Sequence, residues 1–167
     1  MPTPSTVPDS PLALRRATIE DAELLFGWAN DLGTRAASFH PTSIPWEGHV
    51  AWLSSRLASP ASRLYIASED GVPAGQVRFE LGEDGEAEVS IAVAPGARGR
   101  GVGRRLLVAG IAAVAEESFT ASVLARVRAD NPASAALFRG AGFEEVGPTT
   151  CAGLSCTAFR LLLVPAP

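Results

Sequence analysis

The sequence predicts a mixed α/β domain of the α+β type, with helices packed against a mostly antiparallel sheet. Three observations support this fold class. Short apolar strand patterns alternate with amphipathic helical patterns along the chain. Three strand patterns follow one another between residues 64 and 94 with only turn sequences between them, which predicts antiparallel hairpins. The later strands are separated by helices, which makes the predicted sheet a mixed one.

Length and composition favour one domain and exclude several classes of protein. We expect a flexible tail over residues 1–11, rich in proline, serine and threonine, and a single domain over residues 12–167. The net charge of −4 argues against a nucleic-acid partner. The absence of an apolar run of about 18 residues argues against a membrane span. The two cysteines are predicted to be reduced thiols of a cytoplasmic protein, and no metal site is expected.

The first half of the chain begins with a predicted strand at residues 12–16. The segment Thr18-Ile19-Glu20-Asp21 resembles a capping box and opens a helix through residue 29. Residues 30–45 are rich in loop signals, and a second helix is predicted over residues 46–57. Strands are then predicted at residues 64–68, 76–81 and 86–94, with turns at residues 69–71 and 82–85.

The second half alternates helices and strands. A helix is predicted over residues 101–118 and a strand over residues 122–129. Asn131 is a suitable N-cap and Pro132 a suitable first helical residue, so a short helix follows and ends at the glycines of residues 140–142. The final strands are predicted at residues 143–146 and 157–164.

The loop before the predicted helix at residue 101 is rich in glycine and arginine. A helix N-terminus is positive and favours anions, yet this one carries four cations. Glycines allow an anion to approach the backbone, and successive N–H groups at a helix start point towards it. The loop therefore predicts a bound diphosphate between the arginines, although a solvated basic loop is the alternative. The arginines are Arg98, Arg100, Arg104 and Arg105, and the glycines are Gly99, Gly101 and Gly103.

Two segments resemble the signatures of the GNAT N-acetyltransferases. In "SIAVAPGARGRGVGRRLL" a strand is followed by R-x-x-G-x-G and a helix, as in the family's acetyl-CoA signature. In "NPASAALFRGAGF" an asparagine opens a short helix that ends in Gly-Phe. The two segments occur in the family's order with one strand between them. The resemblance covers residues 12–164 and implies the GNAT fold, whose central strands splay apart.

The resemblance implies acetyl-CoA as the cofactor. The pantetheine arm would pair with the exposed edge of the strand before the loop, so the backbone of Ile91, Ala92 and Val93 would face it. An N–H group near Val93 would polarise the thioester carbonyl. The loop would hold the pyrophosphate through backbone N–H groups, and Asn131 would contact the pantetheine or the amine. The implied cofactor residues are Ile91, Ala92, Val93, Arg98, Gly99, Arg100, Gly101, Val102, Gly103, Arg104, Asn131 and Phe138.

The chemistry of acetyl transfer requires a neutral amine, whose pKa of about 10 in water calls for a base. Glu88 is our first candidate and Glu86 our second, because both share a strand face with Ser90. His49 is a further candidate for the base or for a substrate contact. The alternatives are exposed strand carboxylates and a structural histidine.

The leaving thiolate often receives a proton from a tyrosine in the family. That position is Phe138 here, and phenylalanine cannot donate a proton. Ser134 or water is expected to take its place. The departure also gives some support to a different class of protein, a non-catalytic acyl-CoA-binding module.

The N-terminal half resembles a subgroup that acetylates nucleotide-linked amino sugars. Trp28 and Asn30 match its W-R-N element with Ala29 in place of arginine, and His49 and Trp52 match its second element. We therefore expect an amino-sugar acceptor, with N-terminal acetylation of a ribosomal protein or another peptide as the alternative. The resemblance leaves a homodimer open. The expected substrate-binding residues are Trp28, Asn30, His49, Trp52, Glu86 and Ser90.

Overall fold

A computed structural model describes residues 12–164 and contains one seven-stranded sheet. The tail predicted at residues 1–11 lies outside the described residues. The strand order is β1-β2-β3-β4-β5-β7-β6, and every neighbouring pair is antiparallel except β4 and β5. The predicted fold class is confirmed. The strands are β1 (Leu12–Arg16), β2 (Ser62–Glu69), β3 (Val72–Leu81), β4 (Ala87–Val93), β5 (Ser122–Arg128), β6 (Glu144–Cys151) and β7 (Leu154–Leu162).

Helices cover both faces of the sheet. The predicted helices are present with boundaries that differ by a few residues. A 3-10 turn at Ile19–Asp21 precedes the helix that begins at Ala22, and another at Pro95–Ala97 precedes the helix that begins at Val102. None of the helices within residues 12–164 has the length and apolar character needed to cross a bilayer. The helices are α1 (Ala22–Ala29), α2 (Leu32–Ala37), α3 (Trp46–Ala58), α4 (Val102–Glu116) and α5 (Pro132–Gly140).

Helix α2 lies in the segment that we predicted as loop-rich. It buries no residue, so its sequence has no apolar stripe from which a helix could be predicted. Its start is stabilised by a side-chain cap, because the Asp31 carboxylate accepts a hydrogen bond from the backbone N–H of Thr34 at 3.1 Å.

Strands β3 and β6 are longer than predicted because each contains a proline and a glycine that resemble turn signals. In β3, Gly75 is required by close packing, since a Cβ atom there would lie 2.7 Å from the carbonyl oxygen of Ala92. In β6, Pro148 is tolerated because β6 is the edge strand of the sheet. A register shift between Glu145 and Gly147 accommodates the irregularity.

Two hydrophobic cores lie on opposite faces of the sheet. Alternate residues of β2 contribute to each, with Tyr65 and Ala67 in one core and Leu64 and Ile66 in the other. The larger core packs against α4 and α5. The smaller core packs against α1 and α3. Its fully buried side chains include Leu25 and Leu53.

The two central strands separate soon after they meet. Strands β4 and β5 pair only through Ala87 with Val123 and Glu88 with Leu124. Beyond Glu88, the β4 edge that faces β5 has no strand partner within the described residues. The splayed central strands that the resemblance implies are therefore present, and the gap opens towards the loop that follows β4.

We expect Gly110→Ala to destabilise the protein although alanine favours helices. A Cβ atom at Gly110 would lie 2.7 Å from Cγ1 of Val77 and 3.2 Å from Cε2 of Phe79. The overpacked contact between α4 and β3 should lower the free energy of unfolding by about 1–3 kcal/mol in urea denaturation.

Gly27→Ala is the matched control, because Gly27 is exposed in α1 and a Cβ atom there meets nothing within 4 Å. Helix propensity should make this variant more stable by up to about 1 kcal/mol. Equal shifts in the two variants would contradict the tight contact at Gly110.

Candidate active site

A cleft of about 1120 Å³ occupies the gap between β4 and β5. Its walls come from β3, β4, β5, α3, α5 and the segment around α2. Most of the residues that the sequence singled out line this cleft. They are His49, Trp52, Glu88, Ser90, Ile91, Ala92, Val93, Arg98, Asn131, Ser134 and Phe138.

The start of α5 forms one wall of the cleft. Oδ1 of Asn131 accepts a hydrogen bond from the backbone N–H of Ser134 at 3.1 Å, so Asn131 caps the helix as predicted. Ser134 lies half-buried one helical turn before Phe138. The ring of Phe138 is buried between Phe143 and Phe159, at centroid distances of 5.1 Å and 6.4 Å. Of the two α5 residues that line the cleft, Ser134 carries a hydroxyl group and Phe138 carries no donor.

The glycine loop leads from β4 into α4. Gly99 and Gly101 have φ values of +77° and +71°, in the left-handed region that favours glycine. A Cβ atom on Gly101 would meet nothing within 4 Å, so the space in front of the helix start is open. The N–H groups of the first α4 residues have no acceptor within the helix. The loop therefore presents backbone N–H groups to open space, although Gly99 to Arg104 do not line the cleft itself.

Val102 and Gly103 have a packing role in addition. The Val102 side chain is buried in the smaller core, so only its backbone is available to a ligand. A Cβ atom on Gly103 would lie 3.4 Å from Cγ2 of Val93, which shows that this glycine lets α4 approach β4.

Three of the four loop arginines pair with two carboxylates of the same chain. Arg98 Nη2 lies 2.6 Å from Oδ2 of Asp31, and Arg100 Nη1 and Arg105 Nη2 each lie 2.6 Å from an oxygen of Glu69. These guanidinium groups hold the pKa values of both carboxyls below their ordinary range. The expectation that a ligand alone neutralises the arginines is corrected by these ion pairs.

The two candidate carboxylates of β4 differ in their surroundings. Glu88 faces the cleft, its side chain is 41% exposed, and its Oε2 lies 3.5 Å from Nη2 of Arg126. Glu86 lies outside this cleft and accepts two hydrogen bonds from Arg160, at 2.6 Å and 2.9 Å, and one from Ser122 at 2.8 Å. The Arg160 guanidinium lowers the pKa of the Glu86 carboxyl. Glu86 is therefore corrected from a candidate base or substrate contact to a structural ion pair.

His49 lies in an aromatic cluster beside the cleft. Its Nε2 is 3.0 Å from the carbonyl oxygen of Ala22, and because a carbonyl only accepts, Nε2 carries the proton. The side chain is buried, at 2% exposure, between Phe26, Trp46 and Trp52. His49 has one ring nitrogen bonded to α1, which leaves only Nδ1 for any other role.

Two further predicted substrate residues do not line the cleft. Trp28 is buried in the smaller core and is a packing residue. Asn30 donates to the carbonyl oxygen of Ile44 at 3.0 Å and accepts from the Ile44 N–H at 2.7 Å. The expected substrate contacts at Trp28 and Asn30 are corrected to structural roles, since Asn30 positions the segment that forms the outer wall.

Other polar side chains fasten the same wall through its backbone. Arg128 donates to the carbonyl oxygens of Ala36 and Ser38 at 2.7 Å and 2.9 Å, and Arg35 donates to that of His40 at 2.8 Å. The wall between α2 and α3 is thus held by hydrogen bonds from side chains to its main chain.

The sequence analysis missed four polar side chains of the sheet that line the cleft. Gln76 and Arg78 lie on β3, and Arg126 and Arg128 lie on β5. Arg126 and Arg128 occupy alternate positions of a central strand, where apolar residues are the rule, and that pattern was the available signal.

A family model described as acetyltransferase (GNAT) family matches residues 23–143. The chain belongs to the GNAT acetyltransferase family, and it is an acetyl-CoA-dependent N-acetyltransferase. No curated protein sequence matches it significantly.

Solved structures share the fold over nearly the whole chain. Spermidine N-acetyltransferase from Vibrio cholerae, bound to CoA and spermine, has a TM-score of 0.80 at 18% identity and covers 91% of this chain and 95% of its own. Ribosomal-protein-alanine N-acetyltransferase from Brucella melitensis has a TM-score of 0.77 at 29% identity, over 90% and 99%. AAC(6')-Ib, bound to ribostamycin and coenzyme A, has a TM-score of 0.80 at 18% identity, over 91% and 93%.

We expect Asn30→Ala to loosen the outer wall rather than to remove a substrate contact. The substitution leaves the N–H and carbonyl groups of Ile44 without their partner, which should cost about 1–3 kcal/mol of stability. Hydrogen exchange of residues 38–45 should accelerate, while acetyl-CoA affinity measured by calorimetry stays unchanged. A wall with unaltered exchange and a selective loss of acceptor binding would contradict this role.

Proposed function

We propose that acetyl-CoA lies along β4 with its pyrophosphate at the glycine loop and its thioester beside Val93. The observation that carries this proposal is the early separation of β4 from β5, which leaves a strand edge unpaired next to an anion-accepting helix start. A bound pantetheine arm can add to such an edge as an extra strand would. The N–H groups from Gly99 to Arg104 would hold the phosphates, with Asn131 against the pantetheine or the amine and Phe138 against the thioester region.

The acetyl group would pass directly from the thioester to the amine in a ternary complex. Glu88 takes a proton from the ammonium, directly or through water, and the neutral nitrogen attacks the carbonyl carbon. The C–N bond forms, an N–H group near Val93 stabilises the oxyanion, and the C–S bond then breaks as the nitrogen loses its second proton to water. The Ser134 hydroxyl or water protonates the departing thiolate. Glu88 is the best-placed carboxylate because it faces the cleft on the strand that carries the thioester.

A nucleotide-linked amino sugar is the acceptor that we favour. Trp52 lines the cleft, and aromatic side chains are suitable contacts for a sugar ring. The N-terminus of a ribosomal protein or another peptide is the second candidate, favoured by the 29% identity to the Brucella protein. Thiol release from acetyl-CoA with nucleotide-linked 4-amino sugars and with peptides would separate the two acceptors. No thiol release with any amine, despite CoA binding, would favour a non-catalytic acyl-CoA-binding module.

We expect Gly101→Val to weaken acetyl-CoA binding at least about tenfold, because a side chain would fill the open space in front of the α4 N–H groups. Calorimetry on the folded variant is the measurement. Gly85→Val is the matched control, since Gly85 also has a positive φ, of +82°, and open space around its Cβ position, but lies in the β3–β4 turn. Equal affinities in the two variants would refute the phosphate assignment of the loop.

We expect Glu88→Gln to lower kcat/KM most near and below neutral pH and to lose less as the pH rises. The amine, with a pKa of about 10, needs a base most when it is mainly protonated. A pH–rate profile of the wild type and variant tests this, with Glu86→Gln as the control carboxylate.

A His49→Gln variant, measured alongside, identifies the alternative base. If it loses activity near neutral pH while Glu88→Gln follows the wild type, the base is His49. If neither variant changes the profile, solvent deprotonates the amine and the enzyme acts by positioning and polarisation.

A further inference from the structure

The cleft is lined by five arginines and a single acidic residue, Glu88. Three of the arginines are already used within the chain. Arg98 pairs with Asp31, Arg128 pairs with Asp130 at 2.6 Å, and Arg35 donates to backbone carbonyl groups. The two that remain, Arg78 and Arg126, lie on the sheet floor of the cleft.

Arg78 is a half-buried cation that shares its carboxylate partner. Its side chain is 25% exposed, and its guanidinium lies 4.9 Å from the centre of the Trp52 ring. Nε is 3.2 Å from Glu80, but the angle does not make a hydrogen bond, and Glu80 also pairs with Arg56 at 3.1 Å. Burial lowers the pKa of Arg78, and the nearby carboxylates of Glu80 and Glu88 oppose this effect.

Arg126 approaches the same point from the other side of the gap. Its side chain is 42% exposed and reaches Glu88 only at 3.5 Å. Arg78 is paired with Ser90 across β3 and β4, and Arg126 lies two residues beyond the partner of Glu88 on β5. Arg78 thus reaches Ser90, whose Oγ lies 3.3 Å from its Nη2, and Arg126 reaches Glu88, two residues earlier on β4. In this group three cations, Arg56, Arg78 and Arg126, face two carboxylates, those of Glu80 and Glu88.

Gln76 supplies the complementary feature on the same strand face. It is paired with Ala92 and lies two residues along β3 from Arg78, on the side of the glycine loop. Its Oε1 is buried and has no hydrogen-bond donor within the described residues. An acceptor in a cleft floor with no protein donor takes its hydrogen bond from water or from a ligand that replaces the water. An ammonium or hydroxyl group at this level would satisfy it, about 7 Å along the strand from Arg78.

We propose that the acceptor is an amine that also carries an anionic group, a phosphate or a carboxylate, held between Arg78 and Arg126 with its donor end at Gln76. The inference rests on the proposed function and specifies the class of acceptor. Polycations are disfavoured because a second positive charge would face these arginines. The expected acceptor thus differs in charge from spermine and ribostamycin, the ligands bound to two of the structural neighbours.

Matched acceptors that differ only in the anion test the proposal. Glucosamine 1-phosphate is compared with glucosamine, 6-aminohexanoate with hexylamine, and spermidine represents polycations. Thiol release at saturating acetyl-CoA gives kcat/KM for each. The anionic member of at least one pair should exceed its counterpart about tenfold or more, and the two pairs distinguish phosphate from carboxylate. Spermidine should be the poorest acceptor.

Substitution of Arg126 shows whether the preference arises at this point of the cleft. Arg126→Gln should lower the ratio of kcat/KM between the anionic and the neutral acceptor about tenfold. Arg16→Gln is the control, because Arg16 is 53% exposed and paired with Glu117 on the far side of the sheet. That variant should keep the wild-type ratio. Calorimetry of the CoA-bound protein with glucosamine 1-phosphate and glucosamine provides the same comparison without turnover.

The outcomes separate this inference from the proposed function. Acetyl transfer without an anion preference, a preference for spermidine, or equal losses for both acceptors in Arg126→Gln would overturn the inference while the transferase function stands. A protein that releases no thiol with any acceptor contradicts the proposed function. The calorimetric ratio of the two glucosamine ligands still decides the anion site in that case.

Discussion

The limited pairing between β4 and β5 is the constraint on which the rest of the site depends. Two residue pairs join the strands, and then their hydrogen bonds to each other end. Backbone N–H and carbonyl groups that lose a strand partner need another one, from water or from a ligand. The same divergence creates the cleft, and α5, which follows β5 in the chain, forms one of its walls.

The charges around the cleft are organised largely within the chain. Asp31 and Glu69 hold Arg98, Arg100 and Arg105 at ion-pair distance, so these three side chains are held in place without a ligand. Arginines fixed in this way lose little further conformational freedom on binding, which is the physical meaning of a preorganised site. The backbone amides at the helix start remain available for the anion, since the side chains are turned to partners of their own.

The sequence was informative wherever a local pattern has a local cause. The glycine loop, the Asn131 cap and the strand alternation could all be predicted, because neighbouring residues determine them. Helix α2 could not, since it buries no residue. The pairing of Glu86 with Arg160 joins residues 74 positions apart, and no local signal distinguishes that carboxylate from Glu88. The role of Asn30 likewise depends on a backbone segment fourteen residues away.

The outer wall of the cleft is held through its main chain, and this determines which substitutions the wall tolerates. Asn30, Arg35 and Arg128 hold the wall by its main chain, at Ile44, His40, Ala36 and Ser38, and main-chain groups are the same whatever side chains they carry. Substitution of another wall side chain therefore leaves these bonds to the main chain in place. The residues that face the cleft from its outer side can thus be exchanged without loss of the scaffold that holds the wall.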